Sequence, residues 1–382
     1  MSGGVDSSVT AYLLKERGYE VEAVSFLMWG AAGKETGSPP CSSRQAMEEA
    51  SQAARFLGIS HRTIDVRPAF FEKVVEPFVR AYLSGLTPNP CILCNRFIKF
   101  PSLIEEAGKS GAEYIATGHY ARVERVTGDE LKTAATHDAL SEEALRISRR
   151  PLVKKAIDPK KDQSYVLYAL GQEAFGRLIL PLGHYRKDEV RKIARDIGLP
   201  AAERSESQEI CFVEEKNYLA FIEKFSPVKT EPGPILHPSG KVIGIHKGIY
   251  RYTIGQRKGL GISSPEPLYV VDTDIQRNTV SVGPREAAKK REFLVGELTW
   301  AVSSPSKDLR VSVKVRSTMR GEPATIFAGF RDKGCGEESA GRRDETVRVV
   351  FDDPQWAPAP GQSAVFYEGD VVIGGGIIRK PA

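Results

Sequence analysis

The sequence predicts an α/β protein: a doubly wound parallel sheet first, a small central domain next, and a C-terminal β-barrel. Three observations predict it. Helical and extended patterns alternate up to about residue 200, the rhythm of βαβ units. From about Glu292 onward, short apolar runs are separated by Pro and Gly turns, as in a small barrel. A basic, glycine-laced stretch lies between the two regions. The expected domains span 1–206, 207–288 and 289–382.

Each element has a local reason. A helix is expected from Val9 to Arg17, closed by Gly18, and a continuous apolar strand from Val21 to Leu27. Ser42 or Ser43 caps a helix that runs through Phe56 and ends at Gly58. His61 to Val66 reads as a strand, Pro68 to Leu83 as a long helix and Glu113 to Thr117 as a strand. A helix from Arg186 to Ile197, ended by Gly198, closes the sheet domain. The barrel strands are expected at Ser312 to Arg316, Thr346 to Phe351, Ala364 to Tyr367 and Val371 to Ile378.

Composition narrows the function classes. The chain has 382 residues, 41% hydrophobic and 27% charged, with a net charge of +5. That is ordinary for a globular protein and long enough for two or three cores. No apolar run reaches the length of a membrane span, and no signal-peptide pattern opens the chain. The expected location is therefore the cytoplasm, with no membrane partner. Five cysteines, an odd number, argue for thiol or metal chemistry over a disulfide scaffold. Cys41 and Cys335 lie in polar or glycine-rich loops and read as non-catalytic.

The opening string Met1-Ser2-Gly3-Gly4-Val5-Asp6-Ser7-Ser8 is the densest signal. Two glycines keep the backbone bare for close approach of a phosphate, and the following helix offers unpaired N–H groups and a positive dipole end. Asp6 in such an anion site suggests a magnesium ion or capping of N–H groups. A Ser/Gly turn capping a surface helix is the plainer reading of Gly-Gly alone. The full string resembles the PP-loop of the ATP pyrophosphatase superfamily. In that superfamily a buried strand precedes the loop, so a strand is expected upstream of Met1, with Met1 internal to a longer protein.

In Thr87-Pro88-Asn89-Pro90-Cys91-Ile92-Leu93-Cys94 two prolines hold a loop, and a helix is expected to begin near Asn95 or Arg96. Cys94 would then sit at a helix N-terminus near Arg96 and Lys99, a setting that favours the thiolate. Cys91 and Cys94 form a C-x-x-C pair able to bind metal or cycle as a disulfide. Gly118 should let a ligand reach the end of its strand, and His119 beside it could meet a phosphate or a base, or be a hydrogen-bonded structural residue. From Arg146 to Lys161, seven cations face one acid, Asp158, before Asp162-Gln163-Ser164. That excess suits a phosphate backbone better than a solvated face. Cys211, in Glu209-Ile210-Cys211-Phe212, is either core filler or a second reactive thiol. Lys241 to Pro265 holds five Lys/Arg and no acid. Its loop Gly255-Gln256-Arg257-Lys258-Gly259-Leu260-Gly261 suits a nucleic-acid backbone.

Together these motifs resemble the tRNA-specific 2-thiouridylase family over nearly the whole chain. The matching residues are Ser2 to Ser7, Thr87 to Pro90, Cys94-Asn95, Thr117 to His119, Lys161 to Ser164, Glu209 to Phe212, Gly255 to Arg257 and Pro360 to Gln362. The resemblance implies a PP-loop domain, a central domain and a barrel that clasp tRNA, and thiolation of the wobble uridine at C2. It implies ATP binding by Met1, Ser2, Gly3, Gly4, Val5, Asp6 and Ser7, with Phe26 and Gly118 at the adenosine. It implies tRNA contacts from Asn89, Pro90, His119, Lys161, Asp162, Gln163, Arg316 and Gln362. Magnesium would screen the phosphates. Cys211 would carry sulfur as a persulfide received from a desulfurase or a sulfur relay, with Cys94 its catalytic partner; free sulfide is the alternative donor, for a metal-bound route.

Three departures stand out. Phe26 replaces a common methionine, Ser317 a common tyrosine, and Cys91 an aspartate proposed to act on the base. Cys91, Cys94 and Cys211 would therefore suit an iron–sulfur cluster with one open iron equally well, and sequence leaves that route and the persulfide route both open. Two other classes remain at this point. Another PP-loop enzyme, such as an amidotransferase-type synthetase or a tRNA lysidine synthetase, would not need Cys94 or Cys211. A non-catalytic tRNA-binding protein would release no pyrophosphate.

Overall fold

The structure, a computed structural model, describes residues 1–30, 44–125, 151–202, 210–213, 217–226, 231–302, 304–330 and 346–380. Cys41, Cys335, Ser42, Ser43, the arginines at 146, 149 and 150, and Glu209 lie outside the described residues.

The N-terminal region alternates helix and strand as expected. Helix α1 (Val5–Glu16) is followed by β1 (Glu22–Leu27), α2 (Arg44–Leu57) and β2 (Ser60–Asp65). Strands β1 and β2 pair in parallel, Glu22 opposite Ser60 through Leu27 opposite Asp65. A second parallel pair joins β3 (Ile115–Ala116) to β6 (Leu178–Ile179). Among the described residues these pairs are not hydrogen-bonded to each other. Met1 lies alongside β1, where its amino group donates to the Val24 carbonyl and Ser25 Oγ donates to its carbonyl at 2.6 Å.

The helices start earlier than the sequence suggested. Helix α1 begins at Val5, with Gly4 as an extended N-cap, because the glycine pair turns the chain within one residue. The segment 90–110 is helical from Pro90 onward, with a π-turn at Asn95–Lys99. Asn89 caps it, accepting from the Cys91 N–H at 3.1 Å, and Pro90 supplies the N1 residue that needs no donor. Cys94 therefore closes the first helical stretch and does not open a helix. Leu93 and Cys94 point into the protein, and the prolines that suggested a loop are a helix start.

The C-terminal barrel is closed by six strands: β11 (Lys289–Trp300), β12 (Leu309–Lys314), β13 (Glu322–Phe330), β14 (Thr346–Trp356), β15 (Ser363–Glu368) and β16 (Val371–Ile378). The order is β11-β14-β13-β12-β15-β16, and β16 pairs back to β11. Closure removes the free edges. The hairpin of β4 (Ala121–Arg125) and β5 (Pro151–Lys155) belongs to the first region in sequence, yet it extends the barrel sheet through Val371 opposite Lys154. The central region is a four-stranded sheet of β7 (Gly233–Leu236), β8 (Val242–His246), β9 (Tyr269–Asp274) and β10 (Thr279–Gly283), in the order β8-β7-β10-β9.

The regions share cores. Phe100, Tyr165 and Tyr168 of the first region pack with Val365, Tyr367 and Val372 of the barrel. Tyr165 Oη donates to the Ser363 carbonyl at 2.7 Å, deep in this core. At the other end, Thr87 N donates to the Pro360 carbonyl at 2.8 Å. Gly361 makes that contact possible: its φ is +90°, and a Cβ there would lie 2.9 Å from the Thr87 nitrogen. The Thr87-Pro-Asn-Pro motif and the Pro360-Gly-Gln motif, 270 residues apart in the text of the chain, are thus one junction.

Candidate active site

The glycine loop that opens the Met1–Ser8 string leads into α1, with partners that the sequence did not mark. Gly3 has φ +74°, and a Cβ there would lie 2.7 Å from the Ala46 carbonyl, so α2 sits directly against the loop. Ser7 Oγ accepts from the Ser2 N–H at 3.1 Å and donates to the Gly4 carbonyl at 3.1 Å. No side chain caps α1, which leaves the N–H groups of its first turn directed at the loop. Gly118 packs onto this turn: a Cβ would come within 3.0 Å of the Asp6 carbonyl carbon and 3.1 Å of the Ser7 nitrogen. Its bareness serves contact between strand end and loop.

Asp6 does not cap its own turn. Its Oδ1 accepts from Tyr120 Oη at 2.8 Å and from Lys187 Nζ at 2.7 Å, and its Oδ2 accepts from Lys187 Nζ at 2.8 Å. Neither partner was assigned a role from the sequence. Lys187 stands 181 residues from Asp6, and no local pattern marks it. Phe26, at the end of β1, is half-buried against the aromatic core described next.

That core holds two of the cysteines. Cys94 is buried, with Sγ 3.7 Å from Met28 Sδ, and Cys211 packs against the same cluster. Phe212 beside Cys211 is 1% exposed and meets Phe70, Phe78 and Phe221 edge-on or tilted, 5.2 to 5.5 Å between ring centres. The segment around Cys211, remote in sequence, is thereby anchored in the cluster that also holds Cys94. None of the three cysteines is in a disulfide. Cys91 is exposed, at the second position of its helix. Among the described residues no group of three His, Cys, Asp or Glu side chains is placed to hold a metal ion. Of the three cysteines that the sequence set together, Cys91 is exposed, Cys211 half-buried and Cys94 buried beside Met28.

The expected tRNA residues separate into two kinds. Asp162 is turned inward, 5% exposed in its side chain: Oδ1 accepts from the Ala156 and Ser164 N–H groups, and Oδ2 from Ser164 Oγ at 3.0 Å and Lys314 Nζ at 3.4 Å. Gln163 bridges to Tyr120, accepting its N–H on Oε1 at 2.9 Å and donating its own N–H to the Tyr120 carbonyl at 2.7 Å. His119 is half-buried, stacked on Phe100 at 5.9 Å, with Nδ1 2.8 Å from Thr117 Oγ1. Burial, with Lys99 adding to it, pushes its pKa down to about 3. The neutral ring keeps one N–H donor for a phosphate or a base. Asn89 caps its helix and Pro90 is buried, while Lys161 and Gln362 remain partly exposed.

The second kind lines an open cavity of about 1040 Å³ between the central sheet and the barrel. Lys247, Arg251, Arg257, Lys258 and Arg316 line it, and no acidic residue does among the described residues. The Gly255–Gly261 loop forms one wall. Arg316 crosses from the barrel, donating from Nη2 to the Ile254 and Ala357 carbonyls at 3.2 Å each. Burial lowers its pKa, and its Nε has no hydrogen-bond partner in the protein.

A bare glycine turn at a helix N-terminus beside a parallel pair of strands, followed by a four-stranded central sheet and a closed six-stranded barrel, is the architecture of a PP-loop α/β domain joined to two β domains. Family models agree on each part: a tRNA methyl transferase HUP domain over residues 1–215, a tRNA methyl transferase PRC-barrel domain over 219–284 and an aminomethyltransferase beta-barrel domain over 290–378. The chain is 46% identical to tRNA-specific 2-thiouridylase MnmA 1 of Caldanaerobacter subterraneus subsp. tengcongensis, covering 100% of this chain and 96% of that protein. It is 40% identical to tRNA-specific 2-thiouridylase MnmA of Clostridioides difficile, covering 100% and 97%, and 40% identical to that of Halothermothrix orenii, covering 100% and 98%. The chain belongs to the tRNA-specific 2-thiouridylase family.

Proposed function

We propose that this protein is a tRNA-uridine 2-sulfurtransferase that uses ATP to replace the C2 oxygen of the wobble uridine with sulfur. The observation that carries the reading is one of placement. The end of β1 contributes Phe26 and Met28 to the core that holds Cys94 and packs Cys211, while β1 itself lies beside the phosphate loop. Adenylation and thiol chemistry thus share one sheet edge.

The loop and the α1 N-terminus bind the triphosphate through backbone N–H groups. The uridine C2 oxygen attacks the α-phosphorus, and pyrophosphate leaves. Magnesium bound with ATP would screen the phosphate charge, and Asp6 is the loop carboxylate that would hold it. Sulfur arrives on Cys211 as a persulfide from a desulfurase or a sulfur relay. Cys94 thiolate attacks the sulfur of Cys211, releasing hydrosulfide, which attacks C2 and expels AMP with the former oxygen. The products are 2-thiouridine and a Cys94–Cys211 disulfide, which a dithiol reductant reopens. Cys91 has no part in this route. The basic cavity, with Lys160, Lys161, Arg316 and Gln362, takes the tRNA backbone, and Asp162 and Gln163 act by holding Tyr120 and the barrel junction in place. No helix among the described residues is long and apolar enough to cross a membrane; a cytoplasmic location is the reading that ATP and tRNA as substrates favour.

The test is mass spectrometry of nucleosides from wobble-uridine tRNA after incubation with the protein, ATP, magnesium and a persulfide donor. Appearance of 2-thiouridine only when all are present is the expected result. Unmodified uridine with no pyrophosphate release would leave a tRNA-binding protein without this activity.

A further inference from the structure

We propose that Lys187 is the cation of the phosphate site, holding the terminal phosphates of ATP and neutralising pyrophosphate as it departs. This rests on the nucleotide reading above. The eight residues of the loop contain no Lys or Arg. A helix N-terminus supplies only about half a unit charge, while a leaving pyrophosphate gains a full one. The structure brings one ammonium to this place. Lys187 Nζ lies 2.7 and 2.8 Å from the two oxygens of Asp6, a first-turn residue of α1.

The setting is that of a positioned charge. The Lys187 side chain is 11% exposed. Its backbone N–H donates to Asp158 Oδ2 at 3.1 Å, and its ammonium lies 5.5 Å from the centre of the Tyr120 ring. Tyr120 is in turn bonded to Asp6 and clamped on both backbone atoms by Gln163. A desolvated ammonium interacts strongly with an anion because little water screens it. Asp6 balances it in the structure, and a triphosphate of higher charge would compete for the same ammonium. In the reaction the bond from the α-phosphorus to the bridging oxygen breaks as the uridine oxygen bonds to phosphorus. The electron pair leaves with pyrophosphate, and Lys187 contributes charge without giving up a proton.

A plainer role is also chemically available: a salt bridge that fastens the helix Lys187–Asp196 to α1. Inhibition by products separates the two. In the full chain, Lys187→Met should weaken inhibition by inorganic pyrophosphate at least about tenfold, the weight of one charge-assisted hydrogen bond. Inhibition by AMP should stay within about twofold, because AMP lacks the terminal phosphates. Lys187→Arg should restore much of the pyrophosphate inhibition. Lys187→Gln, which keeps a donor for Asp6 without the charge, serves for the same comparison if the Met variant does not fold. Unchanged pyrophosphate inhibition, or equal weakening of pyrophosphate and AMP, would overturn the proposal. A wild-type protein that neither releases pyrophosphate nor is inhibited by it would overturn the nucleotide reading itself, a result distinct from a failure of Lys187 alone.

Discussion

Cys94 turns its thiol onto the sulfur of Met28, 3.7 Å away, inside the aromatic core to which Phe212 and Cys211 are anchored. Cys91, three residues earlier on the same helix, faces solvent. This separation assigns different consequences to otherwise similar substitutions. Cys94→Ser and Cys211→Ser should each abolish 2-thiouridine formation, while Cys91→Ser keeps at least about half of it, since Cys91 is exposed and the persulfide route does not use it. Nucleoside mass spectrometry reads all three. Loss of thiolation in Cys91→Ser, with a visible absorbance band bleached in the same protein, would restore the cluster route.

Asp6→Asn should stop tRNA-dependent pyrophosphate release while tRNA binding persists, because the basic cavity is built from other segments. It also leaves the Lys187 ammonium without its carboxylate. The expected stability cost is about 1–3 kcal/mol, read as a lower urea midpoint with unchanged slope. Normal pyrophosphate release in this variant would remove Asp6 from the nucleotide site.

His119 should stay neutral throughout the range in which an ordinary histidine titrates. Its native pKa is held near about 3 by burial, against 6.5 for the free side chain. As pH falls below 6.5 the unfolded chain takes up a proton that the native ring refuses, so stability declines from there toward about pH 3. Above 6.5 this group makes no difference to the pH dependence. NMR of the ring protons should show no titration at His119 between about pH 5 and 8, and His119→Gln should flatten the acid limb of the stability profile.

Asp162 and Lys314 form a buried pair, 5% and 8% exposed in their side chains. Removing one partner strands the other, so Asp162→Asn or Lys314→Met should each cost about 3 kcal/mol or more. The double variant should recover part of that loss. Equilibrium unfolding of the four proteins gives the coupling. If Asp162 acted only through RNA, the single variants would bind tRNA weakly while unfolding normally.

Lys160→Ala with Lys161→Ala should weaken all tRNAs alike and lower the slope of log affinity against log salt by up to about 0.7–0.9 per lost phosphate contact. An unchanged slope would show that this run does not touch the backbone. Filter binding over a salt series makes the measurement.

The sequence alone determined the order of the three regions, the glycine turn before the first helix, four of the six barrel strands and the basic character of the central loop. These are written in short-range patterns: glycine spacing, alternation of apolar residues, turns at Pro and Gly. The same patterns misplaced the start of the helix at Pro90, because a proline that breaks a helix interior is also favoured at its first residue, and Asn89 decided between the two by capping. Only the tertiary structure decided that Cys94 is buried and Cys91 exposed, since both lie in one helical stretch and the difference is which side meets Met28. It also decided that Asp162 faces Lys314 and that Gly361 seats Thr87. Lys187 beside Asp6 is the plainest case. A charge acting across 181 residues of chain leaves no periodicity in the sequence, and its meaning exists only once the fold has desolvated it against a carboxylate at the end of a helix.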